Sequence, residues 1–499
     1  MNSVLNSATR KSTGRNSAAA LISGLLVAFT CAQPLSAAEQ ADPFERLRML
    51  NQQLDVYREQ ISDLESEYDA YYPGIQEPLS GMVSLLIESG DYEQVVELQN
   101  RQLQLARSNL GLIDLSLIPL LEEIAANQLR LGDWVAVSDS LEHIRYVIAS
   151  QPEPDVEQQL LAMDRQAQWF MSRVHLDGEV RSFFQGRQVY EQMVSLAEET
   201  YGENSLEMIN WLYKEAYNIF QLVELLNARG RFGSDAIDRL IREDGQGRLQ
   251  SSRGGFVSVG NAPYWGPSVI SQSPLRSNST TPIIDSGSRI GEKYLREGLN
   301  IVTRIEDLLD EGDDAEAKGM SLIYHGDYQV LVGIGLANRS YRQAKEQLLE
   351  AGLDESRIEL FFNTPTLIPA PEYFTRLEDA IAHQQGHSME IADDAGQIST
   401  GMIFTAWSED LPSTSLSIMN APFLDYELQY DQVEFEFNLS RSSRITSVDI
   451  LSVSTDNRSV RRRANRAIRD IKFRPSIVQG ETNRVRNLRL RYLFPVEQQ

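Results

Sequence analysis

From Leu47 onward the apolar positions fall at Leu47, Leu50, Leu54, Tyr57, Ile61, Leu64 and Tyr68, an unbroken alternation of three- and four-residue steps. That spacing lays one stripe along a helix and predicts an N-terminal helix within residues 42–70. It suits a cap on the units that follow or a short coiled coil. Two stretches then share a frame, "LIESGDYEQVVELQNRQLQLARS" and "LRLGDWVAVSDSLEHIRYVIAS". Gly90, Asp91 and Tyr92 lie 42 residues before Gly132, Asp133 and Trp134, and at the same offset Ile87 matches Leu129, Val95 matches Val137 and Leu105 matches Val147. Each Gly separates two amphipathic stretches, where a tight turn between helices needs a residue without a side chain. The aromatic after each Asp opens the second helix and is placed to fill the gap between the pair. A helix pair cannot bury its apolar face alone, so neighbouring pairs must stack.

This pattern resembles the tetratricopeptide repeat, in the longer-period variety seen in kinesin light chains. The resemblance implies a solenoid of helical hairpins over residues 71–241 and again over 289–385. Looser pairs follow the first two: residues 157–175 with 181–201, where Tyr201-Gly202 resembles the turn between repeats, and the long amphipathic stretch 205–229. In the second segment, Gly326, Asp327 and Tyr328 repeat the Gly-Asp-aromatic triplet and predict another turn. Between the segments, residues 242–288 are rich in Gly, Ser, Pro and Arg, break every periodicity, and read as a flexible linker. Pro365, Pro369 and Pro371 end the helical run, and residues 398–430 read as an extended connection.

Residues 431–497 alternate differently. In "VEFEFNL", Val433, Phe435, Phe437 and Leu439 point one way and Glu434, Glu436 and Asn438 the other, the mark of a half-buried strand. "RITSVDILSVS" is a second strand, "NRSVRRRANRAIRDI" a helix with Val460, Ala464, Ala467, Ile468 and Ile471 on one face, and "VRNLRLRYLF" a last strand. The order is β-β-α-β, a small α+β unit. With Ser452 and Ser454 at a Ser-rich turn, Ala464 and Ala467 at small positions, the corner Phe473-Arg474-Pro475 and the turn at Gly480, it resembles the C-terminal domain of TonB. The fold expected for the whole chain is therefore mostly α, a tetratricopeptide-like helical-hairpin solenoid followed by a small α+β domain. In the TonB family the last strand offers an edge to which a partner segment adds through main-chain bonds. The resemblance thus implies a partner-binding edge at Val485, Arg486, Asn487, Leu488, Arg489, Leu490, Arg491 and Tyr492. The corner itself predicts that Phe473 fills the core and that Pro475 sets the exit angle of the chain.

The first residues carry Arg10, Lys11 and Arg15, then a fifteen-residue apolar run "AAALISGLLVAFTCA", then Pro34 and "LSAA". Basic, apolar and small segments in that order form an export signal over residues 1–38, and the run is too short to span a bilayer comfortably. Periplasmic location follows as the expectation, with an uncleaved inner-membrane anchor as the alternative. Cleavage removes Cys31, the single Cys, so no disulfide is expected in the product. The chain carries a net charge of −25. Residues 439–494 hold fourteen Arg or Lys against four Asp or Glu, so the tail is basic on an acidic body. Such asymmetry bears on partners rather than on fold. Arg461, Arg462, Arg463, Arg466 and Arg469 form a basic helix face suited to anionic lipid, lipopolysaccharide or an acidic protein surface. An exported protein seldom meets nucleic acid, which is not expected as a partner.

No H-E-x-x-H, Cys pair, P-loop or G-x-S-x-G occurs. "GIGLAN" at 333–338 lacks the third Gly of a dinucleotide loop and reads as packing within a helix. His383 and His387 have ligand spacing without a third ligand at a matching distance, and "DEGDD" at 310–314 reads as a solvated helix-helix turn. No cofactor, metal or catalytic residue is expected. The functional expectation is a non-enzymatic adaptor that holds envelope proteins or peptides, an outer-membrane protein among them. Two alternatives stand beside it: an energy transducer, which needs an uncleaved N-terminus, and an envelope hydrolase, which needs a pocket of converging polar groups within residues 365–430.

Overall fold

The computed structural model describes residues 43–176, 181–228, 287–386, 388–392, 398–406, 430–454, 458–478 and 481–495, a mostly helical chain that ends in a small sheet. The export signal, residues 242–286 of the expected linker and His387 fall outside the described residues.

Helix α1 spans Pro43–Glu67, and a 3-10 turn, Pro73–Ile75, leads into α2 (Gln76–Ser89) and α3 (Tyr92–Leu110). Next come α4 (Leu117–Arg130), α5 (Trp134–Ala149), α6 (Val156–Leu176), α7 (Arg181–Tyr201) and α8 (Met208–Ala228). The turns after α2 and α4 use the same chemistry. Gly90 and Gly132 end their helices at φ of +78° and +71°, a conformation that a side chain disfavours. Asp91 and Asp133 then cap the next helix by accepting from the backbone N–H of Gln94 at 3.2 Å and of Ala136 at 3.1 Å. The aromatics that follow pack between layers: Arg130 lies over the Tyr92 ring at 5.2 Å, and the Trp134 ring is 6.4 Å from that of Trp169.

From α2 to α8 each helix packs on its neighbours in sequence, and α8 packs directly on α9 (Gly287–Asp310), so the stack continues across residues 229–286. Then follow α10 (Ala315–Val332), α11 (Ala337–Glu350), α12 (Glu355–Asn363) and α13 (Leu377–Gly386). The "DEGDD" segment is the α9–α10 turn, where Asp314 caps α10 and pairs with Arg376 at 2.7 Å.

Contrary to expectation, Gly326, Asp327 and Tyr328 form no turn; they lie inside α10. The helix ends instead at Gly333, with φ of +81°. Gly326 lacks a side chain because the Tyr341 ring of α11 rests on it: a Cβ there would stand 2.6 Å from Tyr341 Cε1. Gly298 of α9 accommodates Tyr328 in the same way, at 2.8 Å from its Cε1. "GIGLAN" is accordingly the α10–α11 connection and the start of α11, not the interior of a helix.

The sheet contains β1 (Ser388–Ala392), β2 (Ile398–Ala406), β3 (Tyr430–Leu439), β4 (Ile445–Val453) and β7 (Val485–Pro495), in the order β1-β2-β7-β3-β4. Helix α14 (Arg458–Asp470) follows β4, and the two-residue strands β5 (Ile477–Val478) and β6 (Glu481–Thr482) form a separate hairpin. Val433, Phe435, Phe437 and Leu439 are buried, as are Val460, Ala464 and Ile468 of α14, which touches α8 as well as β3 and β4. Phe473 is fully buried beside Phe437, with ring centroids 5.6 Å apart. A single apolar core runs from α6 into this sheet, and a second one, from Leu103 to Trp169, fills α3 to α6.

Candidate functional site

Three places gather side chains whose arrangement goes beyond ordinary packing. The first is the junction of helices and sheet. Residues 366–368 run beside 472–474: Ile368 N–H donates to the Lys472 carbonyl at 3.1 Å and Arg474 N–H to that of Thr366 at 2.8 Å. This pairing drives the Arg474 side chain into the helical stack, where it is 3 % exposed. Its Nε donates to Asp327 Oδ1 at 2.9 Å and its Nη2 to Oδ2 at 2.6 Å, while Tyr341 Oη donates to Oδ1 at 2.8 Å. The guanidinium lies 4.7 Å over the Phe361 ring. Burial works against the charged guanidinium, yet the Asp327 carboxylate and its hydrogen bonds outweigh that cost and raise the Arg474 pKa. Beside this pair, the rings of Tyr213, Tyr324 and Tyr373 pack at 4.4 to 5.3 Å. Tyr213 Oη donates to the Ala370 carbonyl at 2.6 Å, and Tyr324 Oη accepts from Phe374 N–H at 2.8 Å. The Phe374 ring lies 5.1 Å from that of His383. These bonds clamp the Pro-rich exit of the stack; they do not expose it.

A second group lies between α7, α8 and α9. Arg187, 1 % exposed, pairs with the buried Glu297, stands 3.3 Å from Glu191, and covers the Tyr294 ring at 5.0 Å. Glu215 and Asn218 of α8 are buried in the same layer, and Asn218 finds no hydrogen-bond partner among the described residues. Burial pushes the Glu215 carboxyl up to about 8; the Arg187 charge opposes the rise and the Glu297 charge adds to it. Arg474 and Asp327 stand out in the sequence only as parts of a corner and of an expected turn, and neither their pairing nor the Arg187 group is legible there, because acidic residues are frequent in this chain and burial alone distinguishes these.

The third place is the loop from α3 to α4. Leu110, Leu112, Ile113 and Leu115 are 55, 66, 39 and 46 % exposed. The loop is held rather than loose. Asn109 Nδ2 donates to the Tyr71 carbonyl at 2.9 Å and Gln151 Nε2 to that of Ile113 at 2.7 Å. Tyr71 and Tyr146 are each 58 % exposed. Four apolar side chains are thus fixed in water along one rim of the stack.

The predicted edge strand is placed differently from expectation. Residues Val485 to Tyr492 form most of β7, which lies between β3 and β2 and is not a margin of the sheet. Residues 398–406, expected to be an extended connection, form β2 and run parallel to β7, with Met402 opposite Leu490 and Ala406 opposite Tyr492. The margins among the described strands are β1 and β4. Arg489 and Arg491 are also engaged: they face Glu436 and Glu434 across the strand pair, at 3.3 and 2.6 Å. On the basic helix face, Arg461 and Arg462 are exposed, and the side chains of Arg463, Arg466 and Arg469 fall outside the described ones. No group of three or more His, Cys, Asp or Glu placed to hold a metal ion is found among the described residues, and no described helix is long and apolar enough to cross a membrane.

No family model matches the chain, and no curated protein matches its sequence. Among solved structures it is similar to the TPR-like repeats of a Podosopora anserina protein assigned as kinesin light chain. Identity there is 12 %, with 42 % of this chain and 92 % of that one covered and a TM-score of 0.25. A point variant of that protein gives 13 % identity over the same shares, also at 0.25. BtubC (BKLC) from P. vanneervenii is 13 % identical over 61 % of this chain and 93 % of that one, again at a TM-score of 0.25.

Proposed function

We propose that this protein is a non-enzymatic scaffold, exported to the periplasm, that binds a protein partner through its helical stack. The observation that carries this reading is the α3–α4 rim: Leu110, Leu112, Ile113 and Leu115 stand in water on a loop pinned by Asn109 and Gln151. Several exposed apolar side chains close together in the chain cost solubility and suit a surface that another protein covers. Helices α2 to α8, each packed on its neighbours in sequence, suit such a role, because connecting loops can vary without rebuilding the stack. The C-terminal part serves as a second holding surface for an envelope partner. With β7 flanked on both sides, strand addition in this chain uses the β4 margin.

Site-specific photo-crosslinking in cells tests this reading. A photoreactive residue at Leu112 forms a discrete adduct with another protein, while the same residue at exposed Glu93 of α3 does not. Equal labelling at both positions contradicts the proposal.

A further inference from the structure

A cleft lies where α11 meets the end of the sheet. It measures about 380 Å³ and is lined by Asn338 and Arg342 of α11, Arg441 of the β3–β4 turn, and Ile477, Glu481 and Thr482 of the β5–β6 hairpin. That volume falls in the range in which clefts hold small ligands, about 300–1,000 Å³. Its chemistry is unusual for so acidic a chain. Arg342 and Arg441 are exposed, and neither has a carboxylate partner among the described residues. The surroundings add to this charge. Val485 pairs with Leu439, so Arg484 just before β7, Arg486 on it, and Arg441 and Arg444 on the turn share one end of the sheet. None of these four has a carboxylate partner among the described residues, in contrast to Arg489 and Arg491 further along β7. Unpaired guanidiniums cost little in water, but concentrating them at one cleft creates a field that draws anions.

We propose that this cleft binds a short acidic peptide segment of a partner protein, with Arg342 and Arg441 each taking a side-chain carboxylate. The planar guanidinium matches a carboxylate with two parallel N–H donors, a geometry that selects it over a neutral amide. Glu481 decides between a peptide and a phosphate group. Glu481 lines the same cleft, and its negative charge disfavours a dense phosphate dianion, whereas a peptide carries backbone N–H groups that can donate to Glu481. Asn338 and Thr482 provide further polar contacts for a main chain, and the buried Ile477 gives the cleft an apolar floor. The site is separate from the α3–α4 rim and from the α14 basic face, so its failure leaves the scaffold reading standing.

The test uses the whole chain and two fluorescently labelled octapeptides, alternating Glu-Gly and alternating Gln-Gly, read by anisotropy at low and high salt. The Glu peptide binds, weakens with salt, and loses at least about tenfold in affinity in Arg342→Ala/Arg441→Ala. It is unaffected by Arg461→Ala/Arg462→Ala on the basic helix face. The Gln peptide does not bind. Circular dichroism confirms that both variants fold. Undiminished binding by Arg342→Ala/Arg441→Ala, or equal binding of the Gln peptide, overturns the proposal. Displacement of the Glu peptide by inorganic phosphate where equal acetate has no effect assigns the cleft to phosphate and likewise overturns it. Binding of phosphatidylglycerol vesicles that disappears in the same double variant does so too.

Discussion

Asp327, inside α10, receives both Nε and Nη2 of Arg474 at 2.9 and 2.6 Å, across 147 residues of sequence. The carboxylate comes from the helical stack and the guanidinium from the corner that joins α14 to β5, so the pair fastens the C-terminal sheet to the helices. Both partners are buried, and such a pair is costly to break by halves.

Removing only Asp327 leaves a buried guanidinium without its counter-charge. Asp327→Ala is expected to lose about 3–5 kcal/mol of stability in denaturant unfolding. Asp327→Leu/Arg474→Met, which removes both charges and fills the space, loses less than either single variant. A double variant as unstable as the sum of the two singles shows that the pair is not the fastening.

Glu215 makes stability depend on pH. Its folded-state pKa of about 8 stands above its ordinary value of 4.5, because burial disfavours the charged form. The folded chain therefore keeps a proton that the unfolded chain releases between those values. Stability from this group is full below about pH 4.5, falls at ~1.4 kcal/mol per pH unit as pH rises, and levels off above about 8. Glu215→Gln keeps the shape without the proton. The variant is expected to be more stable than the parent at pH 8 and to flatten the decline between pH 5 and 8, as followed by urea unfolding. Parallel curves for the two proteins contradict the assignment.

Gly326 is a packing residue, and replacing it tests that directly. On helix propensity alone, Ala gains about 1 kcal/mol over Gly. A Cβ at this position, however, meets Tyr341 Cε1 at 2.6 Å and Cδ1 at 2.9 Å, and that ring is fixed by its bond to Asp327. Overpacking of this kind costs about 1–3 kcal/mol. Gly326→Ala is expected to melt at a lower temperature than the parent, and a stabilised variant shows that the ring yields.

Local chemistry made much of the helical part legible from sequence. Gly90-Asp91 and Gly132-Asp133 each place a left-handed C-cap and an N-cap side by side, and both requirements are met by near neighbours in the chain. Gly326-Asp327-Tyr328 carries the same letters for other reasons. Its Gly makes room for Tyr341 and its Asp receives Arg474, and neither partner is near in sequence. The buried Phe473 was legible because an aromatic before Arg-Pro at a helix exit has few places to go except the core. The position of β7 was not, since its parallel partner β2 lies far upstream with nothing local to mark the pairing. The α3–α4 rim also escaped the sequence reading. Leucines on a loop look like core residues until their exposure is known, and "NLGLIDLSL" carries no charge pattern to set it apart.

The scaffold reading is tested most directly by an inventory of the proteins retained by the parent chain and by Leu112→Asp/Leu115→Asp, captured side by side from envelope extract and quantified by mass spectrometry. Both side chains are exposed, so the variant is expected to keep the parent's circular dichroism and melting temperature. At least one protein is expected to be strongly retained by the parent and lost from the variant. The same proteins retained in the same amounts by both would contradict the scaffold reading.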